Sequence, residues 1–185
     1  MKKWLPLLLA IVLMMMNAAI VSAEESVQNG IWKLMAYVDE FNEPTDDKFV
    51  ISDKIYGTFS NSATSDSDLG VYIYCENSSV MRARKIISIR LIEYDRYIVS
   101  NSSSRERYYT ITIKDSADVK YTLSGFMGAN GQDIYIFNDT DNETLLYTLK
   151  AGGKIRFAIS EDDSVTKYVF TIDNADGFDE CIDQL

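Results

Sequence analysis

The chain has 185 residues, with 28 acidic side chains against 18 basic ones and a formal charge of −10. A surface this acidic repels phosphate backbones and anionic lipid heads, which argues against nucleic acid as a partner. No histidine occurs, so Ser-His-Asp triads, Cys-His pairs, imidazole-ligated zinc and imidazole general bases are all excluded.

The chain opens with Lys2 and Lys3, followed by an apolar run from Leu5 to Met16. Ala18 to Ala23 then supplies small or compact residues, with Val21 and Ala23 at the two positions whose side chains must enter a signal peptidase. This pattern predicts a signal peptide over residues 1–23 and a secreted or periplasmic protein. Asn17 breaks the run short of the roughly 20 apolar residues a membrane-crossing helix needs, so no stable membrane span is expected after cleavage. Residues 24–185 suit one hydrophobic core, without internal repeat or Pro/Gly-rich linker, and are read as a single β-rich domain.

Period-two alternation runs along this domain. Ile31 to Val38 is the first candidate strand, and a polar, acidic stretch containing Pro44 follows it. Lys54 to Ser60 comes next. In Leu69 to Cys75, one face takes Leu69, Val71, Ile73 and Cys75, and the other takes Tyr72 and Tyr74. Ile86 to Tyr94 places Ile87, Ile89 and Leu91 inward, with Ser88 and Arg90 outward. A polar link, Ser100 to Arg105, precedes Arg107 to Lys114. Shorter candidate strands are Lys120–Phe126, Asp133–Phe137, Glu143–Leu149 and Lys154–Ile159, and Thr166–Ile172 is the last.

At the end, Phe178, Cys181, Ile182 and Leu185 fall on one helical face, with Asp176 as its predicted cap. In an oxidising compartment Cys75 and Cys181 are expected to form a disulfide that pins this short helix to the Leu69–Cys75 strand. The fold class predicted is mainly β: an antiparallel sandwich or a partly open barrel with a short C-terminal helix.

The remaining chemistry rests on carboxylates, hydroxyls and aromatic rings. Asp39 with Glu40, and Glu93 with Asp95, stand at strand ends and are the candidate pairs for a carboxylate hydrolase. Asp139, Asp141 and Glu143, read as lying in a turn between strands, offer the oxygen donors that calcium takes; no other cofactor is implied. Ser60, Asn61 and Thr64 could line a polar binding loop, or bond to their own backbone. Tyr72, Tyr74, Tyr108 and Tyr135 lie opposite the core residues of their strands and are candidates for an aromatic binding surface. The basic strip Arg82 to Lys85 is read as a solvated turn, with docking of an acidic segment as the alternative.

The segments Asp39-Glu40-Phe41-Asn42-Glu43-Pro44-Thr45 and Gly57-Thr58-Phe59-Ser60-Asn61-Ser62-Ala63-Thr64, with Glu93-Tyr94, resemble a signature of small exported bacterial β-rich proteins. The general plan is similar to that of secreted accessory β-sandwich proteins of bacterial envelopes. The resemblance implies an envelope or extracellular protein engaged in binding or assembly, and no catalytic residue. The function expected is a non-enzymatic module that holds a protein, peptide or glycan through a β surface. A structural envelope component and a carboxylate hydrolase are the alternatives.

Overall fold

The computed structural model describes residues 27–77, 84–97, 106–128 and 131–185. The export segment, Arg82 and the link 100–105 therefore lie outside the described residues. Twelve strands form one antiparallel sheet: β1 (Gln28–Asn29), β2 (Trp32–Val38), β3 (Pro44–Ser52), β4 (Ile55–Ser60), β5 (Ser67–Asn77), β6 (Lys85–Glu93), β7 (Arg96–Tyr97), β8 (Arg107–Lys114), β9 (Lys120–Met127), β10 (Asp133–Tyr135), β11 (Ile155–Glu161) and β12 (Lys167–Ile172). Two helices accompany them among the described residues, α1 (Asp139–Lys150) and α2 (Phe178–Ile182). Among the described residues no helix is long and apolar enough to cross a membrane.

Eight strands close on themselves in the order β5, β4, β12, β11, β8, β9, β10, β6, and β6 returns to β5 from Leu69↔Glu93 to Asn77↔Lys85. The class is a closed antiparallel barrel, with extra strands and a short terminal helix. Closure removes the exposed edges that a sheet of this size would otherwise present. Strand β5 takes β4 along its first half and β3 along its second. The β3–β2–β1 segment thus leaves the barrel wall as a flap.

The predicted alternation sets which side chains face inward. Val71, Ile73, Ile87, Ile89, Ile111, Ile113, Ile134 and Ile159 are fully buried, with Phe157, Phe170 and Tyr168 among them. The interior is filled with side chains, as small barrels require. Gly125 shows how tightly: a Cβ there would stand 2.5 Å from Ile134 Cγ2 and 2.9 Å from Ile111 Cδ1.

Two segments differ from the sequence reading. The acidic stretch after the first strand is itself strand β3, paired with β2 from Trp32↔Ser52 to Val38↔Pro44. Its exposed Asp46 and Asp47, with half-buried Lys48, hide the alternation, which is legible only from Phe49 to Ser52. The segment expected as strand Glu143–Leu149 lies within α1. Asn138 caps that helix by accepting the Asp141 N–H at 3.1 Å, and Leu145 and Leu149, one turn apart, face the core. Asparagine followed three residues later by an acidic side chain is a helix-start signal that outweighs the β-propensity of threonine and tyrosine.

Helix α1 also closes the barrel seam. Strand β10 has three residues and meets β9 only through Tyr135↔Phe126. Beyond it, Asn142 replaces the missing strand: its Oδ1 accepts the Ile87 N–H at 3.0 Å, and its Nδ2 donates to Lys85 O at 2.8 Å. On the β9 side, Asp141 accepts the Ser124 N–H at 2.9 Å. Two adjacent side chains of one helix thus satisfy both facing strand edges.

The expected disulfide is absent: Cys75 and Cys181 are free thiols, both buried. Helix α2 packs on β1, β2 and α1, so Cys181 faces the Trp32 carbonyl at 3.9 Å, while Cys75 points into the barrel from β5. Other contacts hold the helix. Phe178 meets the Trp32 ring edge-on at 4.8 Å, Lys85 donates to Ile182 O, and Lys150 pairs with Asp183 at 2.9 Å. The predicted cap is also replaced: Gly177 stands at the cap position with φ 93°, and the Asp176 carboxylate instead accepts the Gly153 N–H at 2.8 Å.

Burial pushes the Cys75 thiol up to about 12, so it stays protonated and unreactive at neutral pH. Native protein should therefore show almost no reaction with a thiol reagent, and two thiols should titrate once it is unfolded without reductant. A bridged protein would show none in either state.

Candidate functional site

One outward face of the barrel wall and the flap carries a row of aromatic residues. Six residues lie directly opposite one another in six strands, in the order Ile51, Tyr74, Ser88, Tyr135, Phe126 and Tyr108. Ring contacts extend this row at both ends. Tyr37 stands 4.7 Å from Phe49, and Phe49 stands 6.2 Å from Tyr74. Tyr135 meets Phe137 at 5.4 Å, Phe137 meets Phe126 at 5.8 Å, and Phe126 meets Tyr108 at 5.5 Å.

In the row beside it, Tyr72 faces Arg90 and Arg90 faces Asp133. The Arg90 guanidinium makes a two-pronged pair with Asp133, at 2.6 and 2.7 Å, and lies 4.8 Å from the centre of the Tyr74 ring. On the other side, Tyr37 donates its hydroxyl hydrogen to the Glu76 carboxylate.

Between Tyr74 and Tyr135 the row holds only Ser88, a small side chain at 6 % exposure. The surface dips there. One hollow of about 430 Å³ has Tyr37, Phe49, Tyr74, Ser88, Arg90 and Tyr135 in its lining. A second of about 600 Å³ adjoins it, sharing Tyr37, Glu76 and Tyr135, and continues past Asp46, Asp47 and Lys48 on the flap to Phe137. Together they form one groove between flap and barrel.

Burial raises the Tyr37 phenol well above its ordinary value, with the Glu76 hydrogen bond and charge adding to the effect. Burial raises Tyr135 too, followed by the charges of Asp133 and Glu76. Both hydroxyls stay neutral and remain hydrogen-bond donors.

Of the predicted binding residues, Tyr74 and Tyr135 line the groove. Tyr72 adjoins it through Tyr74 at 6.4 Å, and Tyr108 joins through Phe126 and Phe137. Ser60, Asn61 and Thr64 lie elsewhere, in the β4–β5 connection, and bond to their own loop. Asn61 Oδ1 accepts the Ala63 and Thr64 N–H groups, Ser60 Oγ accepts that of Asp66, and Thr64 bonds Ser67.

The calcium reading does not fit the geometry. Asp139, Asp141 and Glu143 stand on a helix: Asp139 pairs with Arg84, and Asp141 holds the β9 edge. No group of three metal-ligating side chains occurs among the described residues. The carboxylate pairs are likewise engaged. Asp39 caps its own turn, Glu93 accepts from Tyr168 at 2.9 Å, and Asp95 pairs with Lys54 at 3.0 Å.

Sequence reading passed over Tyr37, Phe49, Glu76 and Phe137 as site residues. Glu76 continues the outward parity of Tyr72 and Tyr74, so that signal was present. Tyr37 and Phe49 join the site only through the β2–β3–β5 register. Comparison with protein-family models, with curated proteins and with solved structures found no match.

Proposed function

We propose that this chain is an exported, non-enzymatic binding module of the bacterial cell envelope that holds an extended segment of a partner in the groove between flap and barrel. The observation carrying this reading is the aromatic row with its gap at Ser88. Rings from four barrel strands and the flap lie on one outer face, where a barrel with a filled interior has no packing need for them. Tyrosine offers contact area and a hydrogen bond at little entropic cost, which suits recognition. The two hollows adjoin through Tyr37, Glu76 and Tyr135, an arrangement that suits a chain laid across both.

The site's hydrogen-bonding pairs, Tyr37 with Glu76 and Arg90 with Asp133, hold one another in place, which favours binding over turnover. Export rests on the pattern of residues 2–23 alone; the free cysteines add nothing to it. The resemblance to small exported bacterial β-rich proteins supports the same envelope role.

A photoreactive benzoylphenylalanine placed at Phe49 in living cells tests this. It should give a discrete adduct in the envelope fraction. The same group at Tyr56, exposed on β4 outside the groove, should give none. Adducts at both positions, or at neither, would remove the reading, as would a full-length cytosolic protein.

A further inference from the structure

We infer that the groove's occupant is a basic peptide segment whose lysine or arginine side chain sits against the Tyr37 and Phe49 rings and pairs with Glu76. This rests on the groove being the binding site. Glu76, Asp46 and Asp47 all line the larger hollow, and none forms an ion pair among the described residues. Lys48 is the one basic residue in that lining, so the hollow keeps an excess of negative charge. An acidic ligand would be repelled, and a neutral one would leave these carboxylates without a counter-charge.

The protein itself contains the complementary arrangement. Across the same surface Arg90 lies over Tyr74 and is locked by Asp133, a cation held by a ring face and a carboxylate together. Tyr37, Phe49 and Glu76 repeat the ring-and-carboxylate set without the cation. A cation entering there gains both the attraction of the ring face and a charge-assisted hydrogen bond, in a site partly withdrawn from water. Ser88 supplies a second contact. It is 6 % exposed and lines the smaller hollow. A peptide laid between Tyr74 and Tyr135 would bring a backbone carbonyl or N–H to it.

Calorimetric titration with a short extended peptide carrying lysine at alternate positions tests the inference, using norleucine and glutamate analogues and a neutral oligosaccharide as comparisons. The lysine peptide should bind, more weakly as salt rises, and its analogues at least about tenfold less well, the scale of one ion pair partly shielded from water. Glu76→Gln should weaken binding by a similar factor. Asp163→Asn, which removes an equal charge at a turn outside the groove, should not.

Failure of the lysine peptide to bind, or indifference to Glu76→Gln, overturns the inference. If the oligosaccharide binds instead and Phe49→Ala weakens it, the groove stands and the cationic occupant falls. If Phe49→Ala and Tyr135→Ala leave the binding of every probe unchanged, the groove itself is not the site.

Discussion

Replacing Asn142 with alanine should destabilise the protein by about 2–4 kcal/mol. The side chain is 2 % exposed and satisfies two strand groups, the Ile87 N–H and the Lys85 carbonyl. Alanine would leave both without a partner where water has little access, and each buried orphan costs about 1–3 kcal/mol. It would also uncouple α1 from β6 at the point where β10 has ended, so the barrel seam would open at that end. Asn142→Asp keeps an acceptor for Ile87 but turns an oxygen toward the Lys85 carbonyl, so it should do no better. Urea unfolding checks this: the midpoint should fall with the slope unchanged. A loss below about 0.5 kcal/mol, the range of neutral surface changes, would mean that the helix does not close the seam.

Trp32→Ala should cost about 3–5 kcal/mol, the usual scale for deleting a large aromatic side chain from a core. Trp32 is fully buried, donates its indole N–H to Ala175 O at 2.9 Å, and meets Phe178 edge-on. It joins the flap to the terminal segment, and in the absence of a disulfide this contact is a principal tie on α2. Trp32→Phe restores part of the packing without the hydrogen bond, so its loss should fall between those of Ala and wild type. Trp4 and Trp32 are the chain's two tryptophans, so without residues 1–23 both variants lack tryptophan emission, and far-ultraviolet circular dichroism follows the unfolding of all three proteins. Equal stability of Trp32→Ala and wild type would contradict this account of how the end is held.

The division between inward and outward residues was readable because it follows parity alone. Val71, Ile73, Ile87, Ile89, Ile111 and Ile113 are buried as the alternation requires. The same parity placed Tyr72 and Tyr74 outward. Tyr109 and Tyr168 went inward among aliphatic residues, and both are 1 % exposed.

The gathering of the groove was not readable. It depends on β3 meeting the second half of β5, on β10 meeting β6, and on the gap at Ser88. Pairings between strands distant in sequence leave no local trace. The acidic half of β3 concealed the flap, and with it Tyr37 and Phe49 as partners of Tyr74. The cysteine pairing failed for a related reason. Compartment and count suggest a bridge, but the direction of each sulfur is set by where α2 docks, and it docks on β1 and β2. Asp139 and Asp141 look like calcium donors when written as a turn. Once Asn138 starts a helix, their oxygens serve Arg84 and the β9 edge.

Side-chain footprinting with hydroxyl radicals, on protein alone and on protein in its envelope-bound complex, addresses the groove most directly. Oxidation of Tyr37, Phe49, Tyr74 and Tyr135 should drop in the complex, while Tyr56 and Tyr147, exposed outside the groove lining, should react as before. Protection of Tyr56 or Tyr147 with the four groove rings unchanged would show that a partner binds another face.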